Sequence, residues 1–473
     1  MKIHFIGIGG VGMSALAQLH AMGGDTVTGS DRLISKGYTD LALWDYLKKL
    51  GIKLYPQDGS GLDKDTDLVI LSSAIETDNP ELQKAKELDI PTMHRSELLA
   101  KHVAEHRTIA VSGTSGKSTT TAMVYEILAY AGKSPSVITG AAILSLQKEQ
   151  GVFGNVYKGA SDLLVIEADE SDGSIVKYRP YLGLCLNLRK DHKEIDVLQG
   201  FFTQFVKNCQ KAIVNVEEDN LKAAGTGCKT FGLHRGDLHP EDIRANGFGS
   251  DFLIRGQKFH LNIPGLHNVA NATAAIAAAL ECGVDLPTAA EALEKFSGIA
   301  RRFASIGSYN HMEVIDDFAH NPHKLHATID AAHLRGKRVL AFYQPHAFTS
   351  IKMLTPEFVE NLSQCIGKED HIWITEVYYP GGTVPAGITS KKVVDGLKNN
   401  GVAADFNPCR EEILADMAAA AQPGDILLVL GARDPTLTAF AEKLLAAVAH
   451  KQPGRPASCQ TCMLGNCCMA YKK

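Results

Sequence analysis

The sequence predicts an α/β protein of three domains, built on parallel sheets with helices on their faces. Its 473 residues correspond to about three domains at roughly 150 residues each. Short apolar segments alternate with helical ones along most of the chain, which is typical of parallel sheets covered on both faces. Two glycine-rich loops each follow a predicted strand and open a predicted helix, as phosphate-binding loops do in this fold class.

The amino-acid composition argues against two classes of partner, nucleic acids and membranes. Lys and Arg number 48 against 53 Asp and Glu, a formal net charge of −5, which argues against a nucleic-acid partner. No apolar run reaches the roughly 20 residues that span a bilayer, so no membrane partner is expected. The chain starts as MKIHFIGIGG, entering a strand without the pattern of a secretion signal. We therefore expect a multidomain cytoplasmic enzyme whose oligomeric state the sequence leaves open.

The predicted domains cover residues 1–105, 106–298 and 299–449, followed by a tail at 450–473. The first has strands at 2–6, 25–29 and 67–73 and a helix at 11–23. The second has strands at 108–113, 163–167, 182–187 and 211–215, a helix at 118–131, an antiparallel insertion within 226–264 and an alanine-rich helix at 268–282. The third has strands at 312–316, 337–343, 371–376 and 426–430. The periodicity of the apolar residues and the turn residues between the segments both support these elements.

The first glycine-rich loop runs from Gly7 to Gly12 and includes Gly9, Gly10 and Val11. Glycines let the backbone approach a diphosphate, whose charge then meets the N–H groups at the helix start. Asp31 follows nineteen residues after Gly12, the spacing at which an acid binds a ribose hydroxyl in dinucleotide enzymes. Taken alone, this loop predicts an NAD-dependent oxidoreductase, or a turn that merely packs a helix on a strand.

The second loop predicts an ATP site. It comprises Gly113, Thr114, Ser115, Gly116, Lys117, Ser118 and Thr119. Lys117 is positioned to reach the β- and γ-phosphates of ATP, and the Ser118 hydroxyl to ligate Mg²⁺. The outermost glycine of the full P-loop pattern is replaced by Val111, but the Gly-Lys-Ser step between strand and helix remains.

An acidic segment follows the strand at 163–167. It reads Glu167-Ala168-Asp169-Glu170-Ser171-Asp172, and its carboxylates would repel one another without a cation. Mg²⁺ held by one or two carboxylates and phosphate oxygens would compensate them; a solvated acidic turn is the alternative. Asp191-His192, after the next strand, offers a further ligand. Two nucleotide loops on consecutive domains favour a ligase that uses ATP and holds its substrate by a nucleotide handle.

Eight ordered motifs resemble the Mur ligases, the ATP-dependent amide-forming enzymes of peptidoglycan precursor synthesis. These are HFIGIGGVGMS with GSD, SSAIETDNPEL (72–82), GTSGKSTTT, IEADESDGS, PGLHNVANATAAIAAA (264–279), RRF (301–303), DDFAHNP (316–322) and QPHAFTS (344–350). The resemblance implies a Rossmann-like amino-terminal domain for a UDP-sugar, a central P-loop ATPase-type domain and a Rossmann-like carboxyl-terminal domain for the amino acid. It also implies ATP and Mg²⁺ as cofactors.

The resemblance further assigns roles to individual residues. Catalysis is implied for Lys117, Glu170, His192, Arg302 and His320, and metal binding for Ser118, Glu170 and His192. Asn268 and Asn271 match adenine-binding positions, while Arg302 and Asp317 match residues that face the nucleotide. Substrate binding is implied for Gly9, Gly10, Val11, Gly12, Asp31, Ser73 and His346.

The members that the chain resembles most join the carboxylate of UDP-N-acetylmuramate, as an acyl phosphate, to the amine of L-alanine. Two arginines usual in the QPHAFTS motif are replaced by Ala347 and Ser350, and a histidine of the ATP loop by Ser115. The amine and the carboxylate therefore stay open, and a paralogue acting on recycled peptide or another carboxylate is the alternative. Two alternatives from other functional classes also remain: an NAD-dependent oxidoreductase and a non-catalytic nucleotide-binding protein.

The tail carries Cys459, Cys462, Cys467 and Cys468 after a segment of linker composition. Four thiolates are enough for a Zn²⁺ site or an iron–sulfur cluster. Their spacing is tighter than the usual pair of zinc knuckles, so a flexible, partly oxidised tail is the competing interpretation.

Overall fold

The computed structural model describes residues 1–38, 41–189, 194–346, 348–378 and 388–450, the side chains of residues 349 and 350 excepted. These residues divide into two compact units. The first comprises Met1–Ala245 with Gly249–Ile299, and the second comprises Asn246–Phe248 with the chain from Ala300 on. Within the described residues, none of the helices combines the length and apolar character needed to cross a bilayer.

A five-stranded parallel sheet opens the first unit, in the strand order β3-β2-β1-β4-β5. Its strands are β1 (Lys2–Ile6), β2 (Thr26–Ser30), β3 (Lys53–Tyr55), β4 (Leu68–Leu71) and β5 (Thr92–His94). The helices between them are α1 (Val11–Met22), α2 (Arg32–Ser35), α3 (Ala42–Lys49), α4 (Pro80–Glu87) and α5 (Arg95–Glu105). Because all five strands run the same way, their following loops gather at one edge of the sheet.

A buried polar network ties β1, β2 and α4 together beneath that edge. The His4 ring lies 2.8 Å from the Thr28 hydroxyl through Nδ1 and 3.1 Å from Glu81 Oε1 through Nε2. The Ser30 hydroxyl donates to the second Glu81 oxygen at 2.5 Å. His4, Glu81 and Ser30 are completely buried, so their partners are fixed rather than exchanged with water.

We expect Glu81→Ala to destabilise the protein by about 3 kcal/mol, because it leaves the buried His4 and Ser30 groups without their acceptor. Urea unfolding monitored by circular dichroism measures the loss. Glu81→Gln, which retains an amide oxygen as acceptor, is the control and should lose less. Equal losses for the two variants would show that packing, not the polar network, is what Glu81 contributes.

The first unit also contains a seven-stranded sheet, in the order β12-β11-β10-β6-β9-β7-β8. Its strands are β6 (Arg107–Ser112), β7 (Ser136–Ile138), β8 (Val156–Tyr157), β9 (Leu163–Ala168), β10 (Leu182–Cys185), β11 (Lys211–Asn215) and β12 (Lys229–Phe231). All neighbours pair in parallel except β7 with β8. A separate antiparallel sheet holds β13 (Glu241–Ala245), β14 (Ser250–Ile254) and β15 (Gln257–Leu261).

The helices of this region are α6 (Lys117–Tyr130), α7 (Leu144–Gln150), α8 (Ile195–Asn208), α9 (Leu266–Glu281) and α10 (Leu286–Glu294). The alanine-rich face of α9 packs against α6 in the central core. Small side chains at Ala272, Ala275 and Ala279, all fully buried, allow the two backbones to approach closely. The start of α9 is thereby brought to the loop before α6.

The second unit contains a six-stranded sheet, in the order β16-β17-β21-β18-β19-β20. Its strands are β16 (Ala304–Tyr309), β17 (Met312–Asp317), β18 (Arg338–Gln344), β19 (His371–Ile374), β20 (Ala404–Phe406) and β21 (Asp425–Gly431). Only β16 pairs antiparallel to its neighbour. The helices are α11 (Pro322–His333), α12 (Phe348–Cys365), α13 (Lys391–Asn399), α14 (Arg410–Ala420) and α15 (Leu437–His450).

The predicted α/β class is confirmed, and each predicted strand of the three sheets is present. The strands that the sequence does not predict are β3, β5, β7, β8, β16 and β20, which lie at or next to sheet edges. Most have two or three residues, too few to show a period. The antiparallel insertion was predicted within residues 226–264, which is too early a start. The strand β12 lies inside that range but belongs to the parallel sheet. The exact domain boundaries stay a prediction, and the cysteine tail lies outside the described residues.

Candidate active site

A cavity of about 370 Å³ opens at the carboxyl edge of the five-stranded sheet. Gly10, Val11 and Gly12 of the first predicted loop line it, together with Asp31 after β2. Gly10 is the residue before α1, so the backbone N–H groups that start this helix adjoin the cavity. A helix start of this kind suits a negatively charged group such as a diphosphate.

Gly9 and Asp31 hold the first loop in shape. The Gly9 N–H donates to Asp31 Oδ2 at 2.9 Å, and the Leu33 N–H donates to Asp31 Oδ1 at 2.9 Å, capping α2. A Cβ atom at position 9 would lie 2.7 Å from both Asp31 Oδ2 and the Trp44 ring, so only glycine fits. Burial raises the pKa of Asp31, while the two backbone N–H groups oppose that shift.

Two arginines in the cavity wall were missed in the sequence. Arg32 follows β2 and Arg95 follows β5, and both line the cavity. Arg95 also donates to Asp172 at 2.9 Å, which links the cavity to the segment after β9. Arg32 follows the end of a predicted strand, which was an available signal, whereas β5 before Arg95 was not predicted and gave none. Ser73, predicted to bind substrate, is exposed, whereas its neighbour Ser72 lines the cavity; the role of Ser73 stays a prediction.

The second loop adjoins the partly buried amine of Lys117, the first residue of α6. Lys117 Nζ donates to the Gly113 carbonyl at 2.7 Å and to Glu170 Oε2 at 2.8 Å, and lies 3.7 Å from Asp169. Burial alone would lower the pKa of Lys117, but the carboxylates of Glu170 and Glu167 raise it above its ordinary value. The amine is therefore held charged at the mouth of the loop.

Ser118 contacts Glu167 and not Glu170, with which it was grouped as a magnesium ligand; that grouping stays a prediction. The Ser118 hydroxyl donates to Glu167 Oε2 at 2.7 Å, and the same oxygen accepts the Gly140 N–H at 2.8 Å. Glu170, which the sequence analysis paired with Ser118, instead contacts Lys117 and has its pKa raised by burial, against the effect of Lys117. Glu167 was recognised as part of the acidic segment but not as the partner of Ser118.

Asn187, after β10, fixes the conformation of the second loop and was not predicted. Its Oδ1 accepts the Thr114 hydroxyl at 3.0 Å and the Ser115 N–H at 2.8 Å. Its Nδ2 donates to the Ser115 carbonyl at 3.0 Å. The loop follows β6 and Asn187 follows β10, and these strands are parallel neighbours that bring the two segments together. More than 70 residues separate the segments in sequence. Thr119 follows in the first turn of α6.

The predicted adenine-binding asparagines meet this loop. Asn268 Nδ2 donates to the Pro264 carbonyl at 2.7 Å, and Asn271 Nδ2 donates to Asn268 Oδ1 at 3.3 Å. Gly116 adopts φ of 81°, and a Cβ atom there would lie 2.5 Å from Asn271 Oδ1. The structure therefore brings Asn271 against the ATP loop.

The donors around Ser118 fit a magnesium ion. Ser118 supplies a hydroxyl oxygen, and Glu167 and Glu170 supply carboxylates at the carboxyl end of β9. Hard oxygen ligands, completed by phosphate oxygens and water, are the set that Mg²⁺ takes. Among the described residues, no cluster of three or more His, Cys, Asp or Glu is arranged as a metal site on its own. Asp191 and His192 lie outside the described residues.

In the second unit, Asp317 organises the residues predicted to face the nucleotide. Its Oδ2 accepts the Phe303 N–H at 2.6 Å, and its Oδ1 accepts the Ala319 N–H at 2.7 Å. Burial raises the pKa of Asp317, while the charge of Arg302 and these hydrogen bonds lower it. The Arg302 guanidinium is exposed and lies 5.2 Å from the centre of the Phe318 ring.

His320 and His346 face each other at the carboxyl edge of the six-stranded sheet, with ring centres 5.1 Å apart. His320 Nδ1 lies 2.8 Å from the Phe318 carbonyl. Burial is the main cause that lowers the pKa of each ring to about 4. Both imidazoles are therefore neutral near pH 7. Ala347 and the side chain of Ser350, which replace the family arginines, lie outside what the structure describes.

We expect the second unit to lose stability as the pH falls from 6.5 towards 4. In that range the unfolded His320 binds a proton and the folded ring does not, so acid favours the unfolded state. The loss for this ring is at most about 1.4 kcal/mol per pH unit. Urea unfolding at pH 7 and pH 5 measures it, and His320→Asn should show a shallower dependence. A variant slope equal to wild type would contradict the assignment.

Three family models match successive parts of this chain. Residues 2–107 match the Mur ligase family catalytic domain, 111–279 the Mur ligase middle domain and 301–433 the Mur ligase glutamate ligase domain. The UDP-N-acetylmuramate–L-alanine ligase of Acetivibrio thermocellus is 34% identical over 453 residues, covering 91% of this chain and 93% of the relative.

Two solved structures extend the comparison. The UDP-N-acetylmuramate–alanine ligase of Thermotoga maritima is 30% identical with a TM-score of 0.79, covering 96% of this chain and all of that one. A murein peptide ligase from Psychrobacter arcticus is 26% identical with a TM-score of 0.68, covering 95% and 99%. With three successive domain matches and full-length relatives above 30% identity, the chain belongs to the Mur ligase family.

Proposed function

We propose that this protein is a Mg²⁺- and ATP-dependent ligase that joins the carboxylate of UDP-N-acetylmuramate to the amine of L-alanine in the cytoplasm. The observation that carries the proposal is the partly buried, charged Lys117, set between the Gly113 carbonyl and Glu170 at the start of α6. The alanine-adding relatives support the choice of substrates. The Gly9–Gly12 loop of the same unit and the arginine-lined cavity beside it would supply a place for a diphosphate.

The proposed reaction has two steps. A carboxylate oxygen of the sugar attacks the γ-phosphorus of ATP, and the bond to ADP breaks to leave an acyl phosphate. The amine then attacks the acyl carbon, inorganic phosphate leaves with the C–O bonding electrons, and the nitrogen loses a proton. Such phosphoryl transfer depends mainly on positioning and on neutralising phosphate charge.

Residues of the first unit would neutralise and orient the ATP. Lys117 would exchange its contact with Glu170 for the β- and γ-phosphates, and the backbone N–H groups of Gly113–Thr119 would hold the remaining phosphate oxygens. Ser118, Glu167 and Glu170 would hold Mg²⁺, with His192 added by the family motif. Bound Mg²⁺ supplies charge neutralisation on the phosphates. Asn268 and Asn271 would contact the adenine.

Residues of the first sheet would hold the UDP-sugar, and those of the second unit the reacting groups. Gly9, Gly10, Val11, Gly12 and Asp31 would shape the diphosphate site, with Ser73 nearby. Arg302 and Asp317 would contact the nucleotide. His320 and His346, both neutral, would face the amine substrate.

Phosphate release from ATP tests the proposal. The purified protein is given UDP-N-acetylmuramate and each of the twenty amino acids, or L-alanyl-γ-D-glutamyl-meso-diaminopimelate. Release that requires both the sugar and L-alanine supports the proposed function. Phosphate release that requires the sugar and the tripeptide, and does not occur with L-alanine, would favour a murein peptide ligase. This second candidate is supported by the likeness to the murein peptide ligase structure and by Ala347 and Ser350. Quenching of NADH fluorescence without any ATP-dependent reaction would favour the oxidoreductase instead.

A further inference from the structure

Three residues follow the carboxyl ends of neighbouring strands in the second unit, and two of them, His320 and His346, have ring centres 5.1 Å apart. β17, β21 and β18 run in parallel, and their register aligns Asp317 with Leu430 and Gln344 with Gly431. His320, Arg433 and His346 each follow these aligned positions by two or three residues. They therefore lie at the same edge of the sheet, where α/β folds bind ligands.

The turn that carries Arg433 is fixed from both sides. The Arg301 guanidinium donates to the carbonyls of Gly431 at 2.6 Å, Ala432 at 2.9 Å and Asp434 at 3.3 Å. Asp434, almost fully buried, accepts Arg410 Nη1 at 2.7 Å and the Thr436 N–H at 2.8 Å. The backbone on each side of residue 433 is thus held while its own side chain is exposed. Because the backbone is already held, only the side chain of Arg433 has to be ordered when it binds an anion.

Unlike the neighbouring Arg301 and Arg410, Arg433 has a guanidinium charge that is available to bind an anion. The Arg301 guanidinium donates to three carbonyls and forms an ion pair with Asp316, and Arg410 forms an ion pair with Asp434. Within the described part of the chain, no carboxylate forms an ion pair with Arg433. After burial, the charge of Arg433 is the further cause that lowers the pKa of His346. Of these three side chains, Arg433 is therefore the cation at neutral pH.

We propose that Arg433 binds the α-carboxylate of the amino acid whose amine is ligated; this inference rests on the proposed function. An amino acid carries a carboxylate that needs an opposite charge, and a guanidinium can bind it through two parallel hydrogen bonds. Ala347 and Ser350 stand where the family carries arginines and supply no such charge. Arg433 supplies one after the end of β21, the strand that pairs with the strand before His346.

The test compares wild type with Arg433→Ala, Arg433→Lys and Arg244→Ala. Arg244 is an exposed arginine of the antiparallel sheet and serves as the matched control. Steady-state phosphate release is measured against L-alanine and against L-alaninamide, which lacks the carboxylate. We expect Arg433→Ala to raise the KM for L-alanine by about 10- to 100-fold, the range of a lost charge-assisted hydrogen bond. The KM values for L-alaninamide, ATP and UDP-N-acetylmuramate should stay unchanged.

The controls separate binding from structure. Arg433→Lys keeps the charge but not the planar pair of donors, so it should recover part of the affinity, and Arg244→Ala should behave as wild type. If wild type ligates L-alanine and Arg433→Ala does so with an unchanged KM, only this inference is overturned. An equal rise for L-alanine and L-alaninamide overturns it as well, because the effect would not depend on the carboxylate. If wild type ligates no amine, the proposed function and this inference fall together.

Discussion

Replacing Lys117 with Met should lower kcat by at least about 10³-fold while the protein remains folded. Removing the amine takes away the charge that would oppose the β- and γ-phosphates, and transition-state charge stabilisation of this kind is worth factors of that order. Methionine retains most of the length and the apolar stem of the lysine side chain. Glu170, whose pKa is already raised by burial, can take up a proton when its cation is removed.

Lys148→Met is the matched control, because Lys148 is exposed on α7 of the same unit and makes no contact with the loop. Circular dichroism and thermal unfolding should show all three proteins folded. The measurement is phosphate release with saturating UDP-N-acetylmuramate and L-alanine. A Lys117→Met protein with near wild-type kcat would remove the loop from the chemistry.

Replacing Glu167 with Gln should lower kcat by about 10²-fold and raise the Mg²⁺ concentration needed for half-maximal activity at least tenfold. The substitution removes a negative charge from the proposed metal ligands. The amide oxygen can still accept the hydrogen bonds of Ser118 and Gly140, which now end on Glu167 Oε2. The loop geometry is therefore kept and the charge alone is lost.

The control for this variant is Glu149→Gln, since Glu149 is exposed on α7. Activity is titrated with MgCl₂ at fixed free ATP for wild type and both variants. An unchanged Mg²⁺ dependence in Glu167→Gln, with Glu170→Gln strongly shifted, would assign the metal to the pair Ser118 and Glu170 that the sequence predicted. A shift in both single variants would support the three-residue set.

The sequence predicted the strands that run through the buried sheets, because many of them carry runs of apolar residues, such as LLVI in β9 and ILLVL in β21, that leave a clear signal. It missed edge strands such as β3 and β20, each of three residues, because pairing with a neighbour, not local composition, defines them. The same limit applied to the site. Arg95 and Asn187 have no motif around them, and only the strand that precedes each one brings it to the cavity or to the ATP loop.

The sequence by itself determined the two phosphate-binding loops, since strand, glycines and helix start are contiguous in each. Tertiary structure decided which charges meet. Glu167 and Glu170 are three residues apart, yet one contacts Ser118 and the other Lys117, because the end of β9 directs them differently. It likewise decided that Arg433 and His346, 87 positions apart in the chain, follow the ends of neighbouring strands. Contacts across parallel strands depend on their order and register, which no local pattern encodes.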